Sequence, residues 1–466
     1  MLIAIYQLIM DFQSYHAVRH SSFTGLIGVA QVDITPPVGI YSRNWGAAKQ
    51  DVAEGIHQPL MLTCITFQSS LKEKPLVLIA ADLGGWKNSG DEWILRSKLL
   101  KALAIEPPQL MFCFSHTHAG PSLSPDDSTK PGGEYIAAYL RDLQESAFRA
   151  AQNALFSAAP AVLTWHYGTC KMATNRDLPD LNNNRFVVGF NPEKNADDTL
   201  LVGRITNEQN RIIGTIVNYA CHPTTLAWDN RLISPDYVGS MRELVQSNTK
   251  APTLFLQGAS GELAPAEQYI GDTEIAEKNG RQLGYSVMAT LESMLAPKME
   301  LSFSRVVESG APLAVWKQTP YQPSGELSAE MVEVKFNLKP LPSLMEIEQQ
   351  YRDCEDRVMK ERLLRKRNVR KAVGDGEIAQ MPLWVWRLGD SFLIGQPNEA
   401  YSEFQEQLRR KLSPKAIAVM NIVNGGVGYL PPHELYGKDI YQVWQTPFEA
   451  GSLELLIKTA IQVAER

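Results

Sequence analysis

The chain has 466 residues, of which 44% are hydrophobic and 21% are charged, so it can bury a large core as one big domain or as two to three ordinary ones. Its 45 basic and 51 acidic residues give a net charge of −6, and we therefore expect no nucleic-acid partner. The five cysteines are an odd number without a C-x-x-C pair, which argues against a disulfide framework; we interpret Cys113 and Cys221, which lie in apolar runs, as packing residues.

The N-terminal segment predicts neither a membrane span nor a clear targeting signal. Met1 to Met10 is apolar, but Asp11 ends the run far short of the thickness of a bilayer. It has no basic n-region and no clear small-residue cleavage site. We predict cytoplasmic residence without a transmembrane segment, secretion being the alternative if this segment is a degenerate signal. We expect residues 1–24 to be a poorly ordered extension or tether, and residues 25–466 to form one folded domain.

From Gly25 onward, apolar β-like runs alternate with amphipathic helical patterns. This alternation predicts an α/β fold in which helices flank a mixed β-sheet core. Residues 388–391 read as a hairpin turn, so part of the sheet should be antiparallel. The predicted strands are residues 26–34, 75–81, 110–114, 211–219, 253–257, 384–394 and 416–423, and the predicted helices are residues 91–103, 134–158, 238–247, 274–295 and 452–464.

Residues 343–372 form a long, highly charged helical pattern with a cluster of basic side chains. Such a cluster can contact acidic lipid or a protein partner, but we interpret it as the solvated face of a helix. The basic residues are Lys360, Arg362, Arg365, Lys366, Arg367, Arg370 and Lys371.

Two histidines, His116 and His118, directly follow the apolar run of residues 110–114. In an extended strand, residues i and i+2 point to the same face, so both imidazoles should enter one space where the sheet stops. A metal site can use this arrangement. The alternative is that both rings are satisfied by hydrogen bonds to the backbone.

Polar residues of metal-ligand type also follow other predicted strands. His222, Glu399 and Tyr429 come after the runs of residues 211–219, 392–395 and 416–423. Ligands bind at such strand ends in open sheets, and two histidines, a glutamate and a tyrosine form a mixed shell that suits zinc. Each residue also has a purely structural interpretation: a turn, a surface acid or packing on the backbone. Spacing alone does not bring them together.

The chain resembles the neutral/alkaline non-lysosomal ceramidase family in its N-terminal catalytic domain. The matching pieces follow the family's order from about Gly25 to the C-terminus. They are the residues at 33–37, 55–57, 81–83, 115–121, 175–176, 218–223, 258–265, 397–399 and 429–441.

The resemblance implies a zinc-dependent hydrolase that cleaves an N-acyl, ceramide-like amide by metal-activated water. It implies one zinc per chain, bound by His116, His222, Glu399 and Tyr429. It further places His118 beside the metal, against the substrate or its oxyanion. Two more residues, Arg176 and Tyr441, would fix the substrate, and the substrate-binding positions would be Asp82, Gly261 and Ala264. The expected partner is a small-molecule or lipid-like amide, and the oligomeric state stays open.

Two features depart from the family pattern. Ceramidases have the form G-D-x-S-P where this chain reads Gly261-Glu262-Leu263-Ala264-Pro265, so a methyl group replaces the hydroxyl of a serine. The chain also leaves no room for the C-terminal immunoglobulin-like domain of ceramidases, which we expect it to lack. Two other interpretations stay open: a non-catalytic ligand-binding protein on the same scaffold, and a zinc hydrolase of esters or other small amides.

Overall fold

The computed structural model describes residues 17–466. These residues fold into two larger β-sheets, several separate strand pairs, and helices on the outer face of each larger sheet. The strands are β1 Ser22–Asp33, β2 Gly55–Ile56, β3 Met61–Gln68, β4 Leu76–Ala81, β5 Leu110–Phe114, β6 Ala159–Thr169, β7 Ala173–Asn175, β8 Asp177–Asp180, β9 Arg185–Val188, β10 Thr199–Asn207, β11 Ile212–Tyr219, β12 Leu232–Ile233, β13 Thr253–Gln257, β14 Leu263–Pro265, β15 Met299–Glu308, β16 Pro312–Pro320, β17 Leu327–Asn337, β18 Ile378–Leu388, β19 Ser391–Gly395, β20 Glu399–Ala400, β21 Ala416–Met420 and β22 Tyr429–Leu430. The helices are α1 Ser89–Leu103, α2 Ile136–Phe156, α3 Tyr237–Thr249, α4 Thr273–Glu292, α5 Leu344–Asp353, α6 Arg357–Val373, α7 Glu403–Lys411, α8 Tyr441–Gln445 and α9 Ser452–Ala464.

The larger sheet of the described part has eight strands in the order β13-β11-β10-β6-β1-β3-β4-β5. The two outermost pairs, β11–β13 and β4–β5, are parallel, and the inner pairs are antiparallel. The smaller sheet has the order β17-β18-β19-β21, with only its β19–β21 pair parallel. Both sheets are therefore mixed.

The two sheets face each other across a shared apolar core. Trp165 and Leu256 of the larger sheet belong to the same buried cluster as Trp384, Trp386 and Leu393 of the smaller one. Helices cover the outer faces: α1 and α2 cover one half of the larger sheet, α3 and α4 the other half, and α7 and α9 the smaller sheet. The result is a helix–sheet–sheet–helix arrangement of layers, because each sheet buries both faces.

The α/β class predicted from the sequence, a mixed sheet core flanked by helices, is confirmed. The hairpin expected at residues 388–391 joins β18 to β19. The long helical pattern at residues 343–372 is instead two helices, α5 and α6, separated at residues 354–356. Helix α6 begins after Asp356, because the Asp356 side chain caps its N-terminus by accepting a hydrogen bond from the Met359 amide.

At the N-terminal end, β1 begins at Ser22, three residues before the predicted start of the folded domain. Ser22 and its neighbours already pair with β6, where Ser22 lies opposite Thr164. Of the predicted extension, residues 1–16 lie outside the described residues. The cytoplasmic location stays a prediction. None of the helices in residues 17–466 combines the length and apolarity that a bilayer span requires.

Candidate metal centre

The structure places the candidate ligands where strands of both sheets end. His116 follows β5 and His222 follows β11, both in the larger sheet. Glu399 and Tyr429 begin β20 and β22, the two short strands that follow β19 and β21 of the smaller sheet. Because β20 and β22 pair in parallel with Glu399 opposite Tyr429, these two side chains start from adjacent backbone positions.

Two buried asparagines tie the sheets together beside these strand ends. Asn218, in β11, donates to the carbonyl of Val419 at 2.8 Å and accepts from its amide at 3.1 Å. Asn424 bonds the free edge of β5, accepting from the Phe112 amide at 2.9 Å and donating to the Leu110 carbonyl at 2.8 Å. Such buried side-chain hydrogen bonds replace backbone pairing and fix the relative position of the two sheets.

The two histidines of the H-x-H pattern meet in one place, but not by strand alternation. The strand β5 ends at Phe114, and His116 adopts a left-handed backbone with φ of 71°. The ring centroids of His116 and His118 lie 4.9 Å apart. The expectation of an extended segment through His118 is therefore wrong; a turn brings the rings together. A non-glycine residue with positive φ is uncommon and is concentrated at functional sites.

Three ligand atoms converge in this place, one each from His116, His222 and Glu399, all within 4.8 Å of one another. The Nε2 atoms of His222 and His116 lie 2.9 and 3.5 Å from the same Glu399 oxygen, Oε2. Nitrogen and oxygen ligands about 2.0–2.2 Å from a tetrahedral zinc stand roughly 3.3 Å apart, so the group already has the dimensions of a metal site. His116, His222 and Glu399 can hold a metal ion.

Both ligand histidines are oriented by backbone carbonyls through their other ring nitrogen. The Nδ1 of His116 lies 2.6 Å from the Gly84 carbonyl oxygen, and the Nδ1 of His222 lies 2.6 Å from that of Ser260. A carbonyl only accepts, so each Nδ1 carries the proton and each Nε2 presents a lone pair to Glu399. Gly84 must be glycine here, because a Cβ would lie 2.8 Å from the Thr117 carbonyl oxygen.

Charge states agree with this geometry. Burial, assisted by the Arg176 guanidinium, lowers the pKa of His222 to about 4, so its imidazole is neutral at neutral pH. Burial raises the pKa of Glu399, but the contacts of its carboxylate with His116 and His222 outweigh burial and hold that pKa well below its ordinary value. Lone pairs and a carboxylate in contact need a cation between them, which is the environment a metal ion fits.

Arg176 and Tyr429 complete the wall behind the three ligands. The Nη2 of Arg176 lies 3.3 Å from the Tyr429 hydroxyl and 3.3 Å from the His222 Nε2. The carbonyl of Gly261 holds this guanidinium, accepting from Nη2 at 2.7 Å and from Nε at 3.2 Å. Burial and the nearby Glu399 raise the pKa of Tyr429 well above its ordinary value. Arg176 is thus a buried cation aimed at the ligand group, and Gly261 acts through its backbone.

His118 stands beside the ligands with one ring nitrogen unused. Its Nε2 is buried and has no hydrogen-bond partner among the described residues. The ring packs against Trp45, with centroids 5.1 Å apart. Buried polar atoms are nearly always satisfied, so an unpaired one at a cavity wall points to a group that binds there.

A cavity of about 230 Å³ opens onto His116, His118, Glu399 and Tyr429. Tyr441 also lines it, with its ring 5.6 Å from that of Tyr429. The remaining lining residues include Arg43, Asn44, Gly84, Gly85, Trp86, Lys87, Thr117, Glu361, Leu364, Arg365, Asn368, Val369, Ile422, Gly426, Gly428 and Gln445.

Four of the residues predicted to bind or fix the substrate do not line this cavity: Asp82, Arg176, Gly261 and Ala264. Asp82 is buried and bonds Arg242 with both carboxylate oxygens, at 2.9 and 2.5 Å. Ala264 is fully buried in β14, and its carbonyl accepts from the Thr174 hydroxyl. Gly261 contacts Arg176 rather than the cavity. Their assignment to substrate binding stays a prediction.

Helix α6 supplies cavity residues that the sequence reasoning missed. Arg365 belongs to the basic cluster interpreted as a solvated face, yet it lines the cavity. Arg370 of the same cluster is buried against Asp375, whereas Arg362 and Lys366 are exposed. The charge pattern resembles that of any solvated helix. The one signal in the sequence is the i, i+4 spacing of Glu361 and Arg365, which places both on the same helix face.

Comparison with solved structures identifies the class of fold. A ceramidase complexed with C2 superposes with a TM-score of 0.67 at 15% identity, covering 95% of this chain and 76% of the other. Neutral ceramidase from Pseudomonas aeruginosa gives a TM-score of 0.67 at 16% identity, covering 95% and 75% of the two chains. At this identity the comparison establishes a shared fold. Among curated protein sequences, none matches this chain significantly.

Residues 26–265 match the family described as neutral/alkaline non-lysosomal ceramidase, N-terminal. The chain belongs to this family, as its motifs predicted. The matched residues include His116, His118, Arg176 and His222. Glu399, Tyr429 and Tyr441 lie beyond them.

Proposed function

We propose that this protein is a zinc-dependent hydrolase that cleaves an N-acyl amide bond. The observation that carries the proposal is the convergence of His116, His222 and Glu399 within 4.8 Å, where His116 and Glu399 line a cavity. Tyr429 is the fourth ligand in this proposal, because it pairs with Glu399 and its hydroxyl faces the same group. One zinc per chain is expected. A full ligand set also favours an enzyme over a binding protein that has lost turnover.

Zinc held here would act as a Lewis acid on the amide carbonyl and lower the pKa of a water to about 7, which supplies a nucleophile at neutral pH. In the proposal, His118 holds the substrate through its unpaired Nε2 and passes a proton toward the leaving amine. Arg176, a buried cation beside the ligands, stabilises negative charge that develops on the acyl oxygen. Tyr441 confines the substrate from the opposite wall.

Ala264 does not contradict hydrolysis. The reaction in this proposal uses the ligand group, His118 and Arg176. It assigns no role to the side chain at position 264, which is a methyl group. Ala264 does not line the cavity, so the size of the cavity, about 230 Å³, and not the missing serine hydroxyl, bears on the substrate. We therefore propose a ceramidase-like amide chemistry whose substrate is not restricted to sphingolipids; esters are the competing substrate class.

The test compares metal content and hydrolysis in matched variants. The wild-type protein should contain about one zinc per chain by elemental analysis. His222→Ala should lose most of the metal and the activity, because it removes a ligand that is 1% exposed. His433→Ala, at an exposed histidine outside the cavity, is the matched control and should retain both. A panel of acyl amides and the corresponding esters then assigns the bond. A metal-free protein with full activity would refute the proposal.

A further inference from the structure

Helix α6 forms one wall of the cavity with a single face. Its lining residues are spaced at i, i+3, i+4, i+7 and i+8, which is one continuous stripe of an α-helix. They are Glu361, Leu364, Arg365, Asn368 and Val369. The helix is therefore placed to touch whatever binds in front of the metal ligands.

Arg365, in the middle of this stripe, has donors to spare. Its Nη1 donates to the Tyr441 hydroxyl at 3.2 Å, its Nη2 to the Asn44 carbonyl at 3.3 Å and its Nε to Glu361 at 3.3 Å. A guanidinium has five N–H groups, so two stay available at the cavity wall. The three existing bonds are long, and they hold the planar fork in place without saturating it.

With a metal ion bound, the charge of the cavity favours an anion. Arg43, Lys87 and Arg365 line it, against Glu361 and Glu399. Lys87 is neutralised by Asp127 at 2.6 Å, whereas Arg43 bonds only the backbone carbonyls of Trp45 and Gly46 among the described residues. Arg365 is paired with Glu361 at 3.3 Å, so Arg43 is left to balance Glu399 among the lining charges. A divalent cation held by the ligand group would make this balance positive and would attract an anionic substrate.

The size of the cavity limits the acyl chain. A volume of about 230 Å³ is below the range of roughly 300–1,000 Å³ that holds drug-sized ligands. Trp86, Leu364, Val369 and Ile422 supply an apolar portion of the wall. This portion suits a short acyl group, and the polar portion around Arg365 suits a charged one.

We propose that the substrate is a short N-acyl amide whose amine portion carries a carboxylate, as in an N-acyl amino acid, and that Arg365 binds this carboxylate. The inference rests on the proposed hydrolase function and specifies its substrate class. The reaction adds water across the C–N bond: the acyl carbon takes the hydroxyl, the nitrogen takes the proton, and the products are a short carboxylic acid and an amino acid. The guanidinium fork matches the two carboxylate oxygens.

The experiment uses zinc-loaded protein and two ligands of equal size, N-hexanoylglycine and its neutral amide, N-hexanoylglycinamide. We expect kcat/KM for the acid to exceed that for the amide by on the order of tenfold or more, the size of one charge-assisted hydrogen bond. Arg365→Gln should lower the value for the acid by on the order of 10- to 100-fold, mainly through KM, and leave the amide within about threefold. Lys366→Gln, which removes an exposed charge from the next position, should behave like the wild-type protein.

Measuring the affinity of both ligands by calorimetry, beside their hydrolysis, distinguishes failure of this inference from failure of the proposed function. A protein that binds the acid more tightly than the amide, loses this preference in Arg365→Gln and hydrolyses neither ligand supports the carboxylate site and contradicts the hydrolase. Equal binding and equal hydrolysis of acid and amide by the wild-type protein overturns the carboxylate site and leaves the hydrolase standing. This wild-type comparison decides the matter even if Arg365→Gln does not fold. Hydrolysis of long-chain ceramide as fast as of N-hexanoylglycine also overturns the inference.

Discussion

Asp82 offers a direct way to distinguish a structural role from substrate binding. The residue directly follows β4, and its carboxylate meets the Arg242 guanidinium of α3 in a two-pronged ion pair at 2.9 and 2.5 Å. One of its oxygens also accepts from the Met61 amide at 2.8 Å. Both charged residues are buried, at 2% and 6% exposure. The contacts tie the end of β4 to a helix beneath the site.

We predict that Asp82→Asn destabilises the protein by about 3–5 kcal/mol, because it leaves the Arg242 charge buried without a partner. Asparagine keeps the size of the side chain and an oxygen for the Met61 amide, so the lost stability reports the removal of the negative charge alone. The double variant Asp82→Asn with Arg242→Met removes both charges and should recover most of the loss. With an m-value of about 3 kcal/mol per molar urea, the single variant shifts the midpoint of unfolding by about 1–1.7 M.

Urea unfolding of the zinc-loaded protein, followed by tryptophan fluorescence, measures these shifts. The matched control is Glu54→Gln, which breaks the exposed Glu54–Arg231 pair at 2.7 Å and should change stability by at most about 1 kcal/mol. A single variant as stable as the wild-type protein, or a double variant no better than the single one, would refute the structural assignment. Unchanged stability with lost substrate binding would return Asp82 to the substrate-binding residues that the sequence predicted.

Two further predictions concern the glycine-rich stretch. Burial raises the pKa of Glu262 to about 7, although Ser402 hydrogen-bonds its carboxylate. The protonated folded form is favoured, so this group contributes most stability below its unfolded pKa of 4.5 and loses it as pH rises toward 7. The melting temperature of Glu262→Gln minus that of the wild-type protein should therefore be larger at pH 8 than at pH 5. The exposed Glu465→Gln is the control, and its difference should not change with pH. An equal difference for Glu262→Gln at both pH values would contradict this assignment. Ala264→Ser should not bring detectable hydrolysis of long-chain ceramide in a lipid-release assay, because the cavity and not the missing hydroxyl limits the substrate; appearance of that activity would show the reverse.

Much of the fold was readable from local sequence. Helix α9 and strands β5 and β13 occupy the predicted residues, because an apolar run or a helical stripe bounded by turn residues specifies its own conformation. The interior strands β6 and β10 were not predicted, and neither were β15 to β17. β6 pairs with β1, and β17 pairs with β18 beyond two helices, so their partners are distant in sequence. Strand formation depends on such partners more than on local preference.

The sequence by itself determined the residue types of the site and their places after apolar strands, together with the family to which the chain belongs. Tertiary structure alone decided which of them meet. It placed His116, in a left-handed backbone conformation, beside His222 and Glu399, and it paired the Asp82 carboxylate with the Arg242 guanidinium. It also laid α6 over the cavity, so that Arg365 faces inward while Lys366 faces solvent. The physical reason is that a side chain's role follows from its neighbours in space, and the packing of two sheets and a helix sets those neighbours.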